Sequence, residues 1–330
     1  MKNKVKIIAE AGINHNGNFE NVIKLIDIAN DAQADYIKFQ LFNTDQFING
    51  DFKYKNKDYD YKKISNRFKS LEFSLEKWKK AIKYAKKKGI KIFFSIFDSK
   101  SVNYLERLNI KIIKIPSGEI NNFELLKKVN KKKYKIILST GMSNLREIKK
   151  ALSYLNNCEV ILLHCVSEYP TFSPNLNNIK ILKKKFKKEV GYSDHTTDII
   201  TPALSVMIGA NYIEKHFTYN KDQKIGDHNF SLEPKELKKM VKNIRLAEMS
   251  GGLNKRLITK KEKKLQFFSR KGLYFKKDKF KGEKIEYSDL KILRPQGYLS
   301  VDKINYIKGK RLKKDVKRLS PIKISYIKMS

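Results

Sequence analysis

Gly191-Tyr192-Ser193-Asp194-His195-Thr196, answered twenty residues later by Ile213-Glu214-Lys215-His216-Phe217, is the passage on which the fold turns. Two short apolar strand candidates, Glu189 to Tyr192 and Tyr212 to Glu214, each run into a histidine. Between them Ile199 to Gly209 is apolar at helical spacing and closes on a glycine. Such a crossover makes the strands parallel and adjacent, so His195 and His216 leave one sheet edge roughly 4.8 Å apart in the pairing direction. Two imidazoles so placed can meet on one divalent metal at about 2.1 Å, with a carboxylate such as Glu214 or Asp194 nearby. From this stretch alone, two unrelated and partly buried histidines explain the pattern equally well.

The same alternation runs through the chain. Apolar, β-branched segments stand at Val5 to Ala9, Tyr36 to Phe39, Lys91 to Ser95, Ile110 to Ile115, Ile136 to Ser139 and Glu159 to His164, ahead of the two already named. Helical patterns separate them at Phe19 to Ala32, Ser74 to Lys88, Ser99 to Leu108, Asn122 to Lys131, Asn144 to Asn156 and Leu176 to Phe186, and Pro234 to Met249 follows the last strand. Eight strands alternating with eight helices predict an α/β fold of the (β/α)8, or TIM-barrel, type. A doubly wound open sheet is the runner-up. It lacks support because no Gly-x-Gly-x-x-Gly turn follows the first strand.

Composition narrows the function. The 330 residues and 41% apolar content allow one large domain and a small one. Met1-Lys2-Asn3-Lys4 followed at once by a strand is unlike a signal peptide, and no apolar run reaches membrane-spanning length, so a soluble cytoplasmic protein without membrane partners is expected. Cys158 and Cys165 are too few for a disulfide framework and agree with a reducing compartment. The formal charge of +38 raises nucleic-acid binding. However, the excess is lysine spread along helical faces, as in Lys86-Lys87-Lys88 and Lys183-Lys184-Lys185, without arginine and aromatic interleaving. A solvated basic surface that attracts anionic substrates accounts for it.

Polar residues collect where strands end. In chain order they are Glu10; Lys38 and Gln40; Ser95; Lys114, Ser117 and Glu119; Ser139 and Thr140; His164, Ser167 and Tyr169; Ser193 and His195; Glu214 and His216. In a barrel these are expected at one mouth, the carboxyl-terminal face. Two lysines among hydroxyls describe an anion site, two histidines a metal, and Glu10, Glu119 and Glu214 offer a base, a ligand orienter and hydroxyl holders. Together they suit a metal-assisted condensation of a phosphorylated acid with a polarised carbonyl. Each has a plainer explanation taken singly: snorkelling barrel lysines at 38 and 114, a helix cap at Ser139-Thr140-Gly141, an Asn-Gly turn at Asn14-His15-Asn16-Gly17.

The motifs Ile8-Ala9-Glu10-Ala11-Gly12-Ile13-Asn14-His15-Asn16-Gly17, Ile37-Lys38-Phe39-Gln40, Lys114-Ile115-Pro116-Ser117-Gly118-Glu119, Leu138-Ser139-Thr140-Gly141-Met142, Tyr169-Pro170, Gly191-Tyr192-Ser193-Asp194-His195-Thr196, Ile213-Glu214-Lys215-His216-Phe217-Thr218 and Ser231-Leu232-Glu233-Pro234 resemble the sialic acid synthase family in order along nearly the whole chain. The family comprises the synthases of N-acetylneuraminic, legionaminic and pseudaminic acids. The resemblance implies condensation of phosphoenolpyruvate with an N-acetylated hexose to a nine-carbon α-keto acid and phosphate, with Mn2+ or Mg2+. It implies His195 and His216 as metal ligands and Lys38, Lys114, Ser117, Ser139 and Ser193 around phosphoenolpyruvate. Glu10 would stand at the reacting carbons, and Gln40, Tyr169, Glu214 and Asp227 at the sugar. Ser167, in Val166-Ser167-Glu168-Tyr169-Pro170, looks like the legionaminic type.

The tail changes character. After a barrel domain over 1–250 and a charged linker over 251–268, residues 269–330 read as short β elements with turns. Within them Tyr274-Phe275-Lys276-Lys277-Asp278 is echoed by Arg311-Leu312-Lys313-Lys314-Asp315. This resembles the antifreeze-like, or SAF, domain that ends the family. The resemblance implies a homodimer in which the tail of one subunit closes its partner's barrel, with Arg294 at the sugar's N-acyl group. Three places depart from the family: Ser95-Ile96-Phe97 replaces a longer Ser-Thr-Pro-Phe pattern, so that either a hydroxyl at phosphoenolpyruvate is missing or Ser95 replaces it; Lys224-Ile225-Gly226-Asp227-His228 lacks a proline; and Arg294-Pro295-Gln296 carries glutamine for glycine. Competing hypotheses are another phosphoenolpyruvate aldol-type synthase, and a non-catalytic basic barrel that binds acidic polymers, which would reveal itself by salt-sensitive nucleic-acid affinity without turnover.

Overall fold

The structure, a computed structural model, describes residues 4–53, 60–223, 226–251 and 256–328. Met1 to Asn3, Lys224, Ile225 and residues 252–255 of the expected linker lie outside them. The chain forms two compact units, Met1–Gly252 and Leu253–Ser330.

In the first unit strands β1 (Lys6–Gly12), β2 (Tyr36–Leu41), β3 (Lys91–Ile96), β4 (Ile112–Ile115), β5 (Lys135–Ser139), β6 (Glu159–His164), β7 (Val190–Asp194) and β8 (Tyr212–His216) close into one barrel, each parallel to the next and β8 parallel to β1. Helices α1 (Phe19–Asp31), α3 (Leu75–Lys88), α4 (Ser99–Arg107), α5 (Phe123–Lys131), α6 (Leu145–Ser153), α7 (Asn177–Phe186), α8 (Thr201–Ile208) and α9 (Pro234–Ser250) are the eight expected. Short polar side chains start most of them: Asn18, Ser74, Asp98, Asn122 and Asn144 each accept a backbone N–H of the first turn. Asn144 and Glu147 complete a capping box, so Asn144 is the cap and Ser139-Thr140-Gly141 is freed for the barrel mouth.

A further helix, α2 (Tyr61–Ser70), lies in the long connection after β2. Its Ile64 and Phe68 share a helical face, a signal the lysines and asparagines around them mask. Phe68 packs edge-on against Phe42 and Phe47, with centroids 5.3 and 5.4 Å away, and Phe97 completes the cluster. The single tryptophan, Trp78 on α3, is buried against Phe94 of β3 at 4.8 Å, clamping helix to strand.

The second unit contains α10 (Lys260–Ser269), β9 (Gly272–Phe275), β10 (Leu290–Leu293) and α11 (Ile304–Ile307), and β9 pairs antiparallel with β10. The stretch expected as a linker thus carries a helix, started by a Thr259–Glu262 capping box. The short sequence echo is a local pseudo-twofold. Lys279 bridges Val316; Gly282 donates its N–H to Leu312 O at 2.9 Å as Leu319 does to Phe275 O at 2.8 Å; Ile285 donates to Lys310 O at 2.9 Å as Ile322 does to Leu273 O at 2.9 Å. Phe275 and Leu312, at matching places, are both fully buried.

Candidate active site

Because side chains alternate across a strand, every second residue of the barrel faces its lumen. On β8 these are Glu214 and His216, with Lys215 turned outward; on β7 Ser193 faces in and Asp194 out. The inward set lines a cavity of about 490 Å3 formed by Glu10, Lys38, Gln40, Ser95, Lys114, Ser117, Ser139, Ser167, Tyr169, Ser193, His195, Glu214, His216 and Asp227 among others. Thirteen side chains expected at the mouth, and Asp227 from the loop after β8, therefore converge.

Charge is packed at its floor. Lys38 Nζ lies 2.7 Å from Glu10 Oε2 and 3.7 Å from Glu214 Oε2, and donates to Ser95 Oγ at 2.6 Å. Lys114 Nζ donates to Glu214 Oε1 at 2.7 Å, and Ser193 Oγ donates to the same oxygen at 2.9 Å. Burial raises Glu10 to about 7, with Lys38 opposing and Glu214 reinforcing the rise. Burial would raise Glu214 too, but Lys114, then Lys38, hold it at about 2. Burial lowers Lys114. The two carboxylates, one on each side of the lysines, are thus driven apart: Glu214 is anionic near neutral pH, and Glu10 is poised to take or give a proton. An incoming anion meets two ammonium groups and only one firmly charged carboxylate.

A second part of the wall is a cluster of small donors. Gly141 N–H donates to Ser117 Oγ at 3.1 Å, and Ser117 Oγ stands 3.2 Å from Cys165 Sγ. A Cβ on Gly141 would come within 2.3 Å of Ser167 Oγ and 2.9 Å of Cys165 Sγ and of Ser117 Oγ, so only glycine lets these three side chains close around the backbone.

The histidines stand beside this cluster, at the ends of β7 and β8, with His216 the register partner of Glu10. His195 pairs its Nδ1 with the Val166 carbonyl at 2.6 Å, an arrangement that makes Nδ1 the protonated nitrogen and leaves Nε2 a free lone pair. His216 Nδ1 is buried without a hydrogen-bond partner, and Asp227 Oδ2 stands 3.7 Å from it. The ring centroids are 5.9 Å apart. Burial lowers His195 to about 4 and His216 well below its ordinary value, the latter helped by His195, so both rings are neutral and able to ligate. Two neutral imidazoles with open nitrogens beside a carboxylate fit a divalent ion. Among the described residues no three His, Cys, Asp or Glu side chains cluster tightly enough to hold one unaided.

Some expectations shift. Asp194 does not approach the histidines from within: it faces outward, where Lys215 Nζ meets its Oδ2 at 2.6 Å and both side chains are wholly buried. Glu119 is not on the cavity wall; its carboxylate accepts from Asn122 Nδ2 at 2.7 Å in the turn after β4, and burial raises it. Thr140 Oγ1 donates to the Leu163 carbonyl and His164 Nε2 pairs with Pro174 O at 2.7 Å, both on the outward face. Arg294 belongs to the second unit. Phe97 and Met142, which stood in quoted motifs without a role, and Phe230, which stood in none, give the cavity an apolar side. Phe230 comes from the turn after β8 and lies 5.3 Å from the His216 ring and 5.0 Å from Tyr169, which itself stacks on His195 at 4.0 Å. A loop aromatic carries no periodicity, so no signal marked it.

Parallel barrels of this construction carry their chemistry at this edge, and the edge here gathers two buried lysines, two glutamates and two histidines around one cavity, so the molecule is a TIM-barrel enzyme. More closely, the chain belongs to the NeuB family, whose pattern matches residues 25–256. It is 42% identical over 327 residues to an N,N'-diacetyllegionaminic acid synthase of Campylobacter jejuni, covering 95% of this chain and 97% of that one. It is 35% identical over 323 residues to a pseudaminic acid synthase of the same organism, covering 95% and 94%. The crystal structure of an N-acetylneuraminic acid synthetase from Leptospira borgpetersenii superposes with a TM-score of 0.73 at 36% identity, over 80% of this chain and 90% of that one.

Proposed function

We propose that the enzyme condenses phosphoenolpyruvate with an N-acetylated hexose, forming a nine-carbon α-keto acid and phosphate for surface glycan synthesis in the cytoplasm. The observation that carries this reading is the pairing of Lys38 with Glu10 and of Lys114 with Glu214 in one buried cavity, beside two neutral histidines. Lys38 and Lys114, with Ser95, Ser117, Ser139 and Ser193, hold the phosphate and carboxylate by charge-assisted bonds. Glu10, raised to about 7, is placed to take the proton of the water that adds to the pyruvyl carbon as the phosphate leaves. Gln40, Ser167, Tyr169, Glu214 and Asp227 orient the sugar. His195 and His216 would hold Mn2+ or Mg2+, which when bound supplies Lewis-acid polarisation of the sugar's carbonyl.

A 2,4-diacetamido-trideoxyhexose is the acceptor favoured by the relative at 42% identity, with N-acetylmannosamine second. The second unit is read as an SAF domain that brings Arg294 to the N-acyl group of a sugar in a partner subunit, which makes the working enzyme a homodimer. The test is phosphate release from phosphoenolpyruvate by metal-stripped protein, with Mn2+ restored, across those sugars and N-acetylmannosamine 6-phosphate. Release that needs both metal and one sugar supports the reading and names the acceptor. Absence of release from folded, Mn2+-loaded protein with every sugar counts against it.

A further inference from the structure

The turn Asn14-His15-Asn16-Gly17 has no part in the chemistry above, yet Asn14 is completely buried and spends its whole side chain on the segment that follows the neighbouring strand β8. Its Oδ1 accepts the N–H of Asp227 at 2.7 Å. Its Nδ2 donates to the carbonyl of Phe217, the residue after His216, at 2.8 Å, and to Ser231 Oγ at 3.1 Å. Ser231 Oγ in turn donates to the carbonyl of Asp227 at 2.5 Å. The peptide groups on both sides of Asp227 are therefore fixed, one by Asn14 directly and one through a hydroxyl that Asn14 orients. The loop is drawn down onto this amide: Gly226 has φ +104, and a Cβ there would stand 2.8 Å from Asn14 Oδ1 and 2.9 Å from the His228 ring. Alongside, Asn16 Oδ1 meets His228 Nε2 at 3.1 Å and Thr218 Oγ1 meets His228 Nδ1 at 2.5 Å.

We infer that Asn14 is a positioning residue that sets the Asp227 carboxylate over the cavity, and so tunes use of the acceptor sugar without touching it. This rests on the proposed role of Asp227 at the sugar. The physical reason is leverage. Asp227 sits on a loop outside the barrel strands, and a displacement of about 1 Å at a substrate-holding group can cost about 100-fold in rate.

The experiment is a double-substitution cycle in the full-length, Mn2+-loaded enzyme, read by phosphate release with the sugar of the panel that turns over. Asn14→Ala should lower kcat/KM for the sugar by about 10- to 100-fold while KM for phosphoenolpyruvate stays within about 3-fold. In an Asp227→Ala background, the same change should cost less than about 3-fold more, because the group it positions is gone. Losses that multiply in the double variant, or equal losses for both substrates that track a fall in melting temperature, overturn the inference. If Asn14→Ala does not fold, Ser231→Ala, which frees the Asp227 carbonyl alone, enters the same cycle with the same two outcomes. An Asp227→Ala enzyme with unchanged kcat/KM for the sugar would instead remove Asp227 from the sugar site and the inference with it. The synthase reading would still stand on the observed release.

Discussion

Glu10 and Lys38 meet at 2.7 Å at the one point where β1 slips register against β2: Glu10 lies opposite Lys38, and Gly12, not Ala11, lies opposite Phe39. Glu10 and Lys38 are the last in-register partners before that slip, so carboxylate and ammonium face each other in the lumen, each 2% exposed. On the proposed reading, the proton acceptor Glu10 is thus held at its post by the group that also attracts the anion. Glu10→Gln should preserve fold and Mn2+ binding and reduce turnover by about 1,000-fold or more. Phosphate-release assays beside circular dichroism check this, and retained turnover would take Glu10 out of the mechanism.

His195 and His216 present the open nitrogens. Replacing either with alanine should weaken Mn2+ binding by at least about 10-fold, followed by electron paramagnetic resonance of free Mn2+ without any substrate present. Affinity unchanged in both variants would place the metal elsewhere.

Asp194 and Lys215 hold the same histidine from behind. Lys215 also donates to the carbonyl and hydroxyl of Thr196, so the residues on both sides of His195 are gripped from β8. Lys215→Met alone strands a buried carboxylate and should cost about 3–5 kcal/mol; adding Asp194→Leu should recover a good part of it. Urea denaturation of the two variants decides: a double variant no more stable than the single one would mean the pair is not the source of the loss.

His15 is buried among Phe39, Phe73 and Trp78, and burial lowers it to about 4 from 6.5. The folded state keeps the ring neutral while the unfolded chain protonates it below 6.5. Its contribution is therefore complete above that pH and is lost as pH falls from 6.5 toward 4, a change of roughly 3 kcal/mol. His15→Phe should flatten the pH dependence of stability in that window, although it forfeits the bond that His15 Nδ1 accepts from Gly17 N–H at 3.1 Å. An unaltered slope would exclude His15 as its source.

In the second unit the pseudo-twofold pairs Gly282, at φ +90, with Leu319, at φ +64. Leucine in the left-handed region is strained, so Leu319→Gly should be neutral or stabilising by up to about 1 kcal/mol. Gly282→Ala, with nothing within 4 Å of the new Cβ, should destabilise by about 1 kcal/mol through backbone strain alone. Hydrogen exchange of the amides around Phe275 and Leu312 separates these effects from unfolding of the barrel.

The sequence by itself determined the alternation of eight strands and eight helices, because period-2 and period-3.6 apolar spacing and the capping residues are local properties. It also determined which residues stand at strand ends, and so most of the mouth: Glu10, Lys38, Lys114, Ser193, His195, Glu214 and His216 all line one cavity. Only the tertiary structure decided which way each end residue faces. Side chains alternate, so a one-residue difference in where a strand begins sends Asp194, Thr140 and His164 outward and Ser193, Ser139 and Cys165 inward. Only it could find Phe230, and the clamp that Asn14 closes on Asp227, two residues far apart in sequence. No local pattern encodes a contact that exists only because the barrel closes β8 against β1.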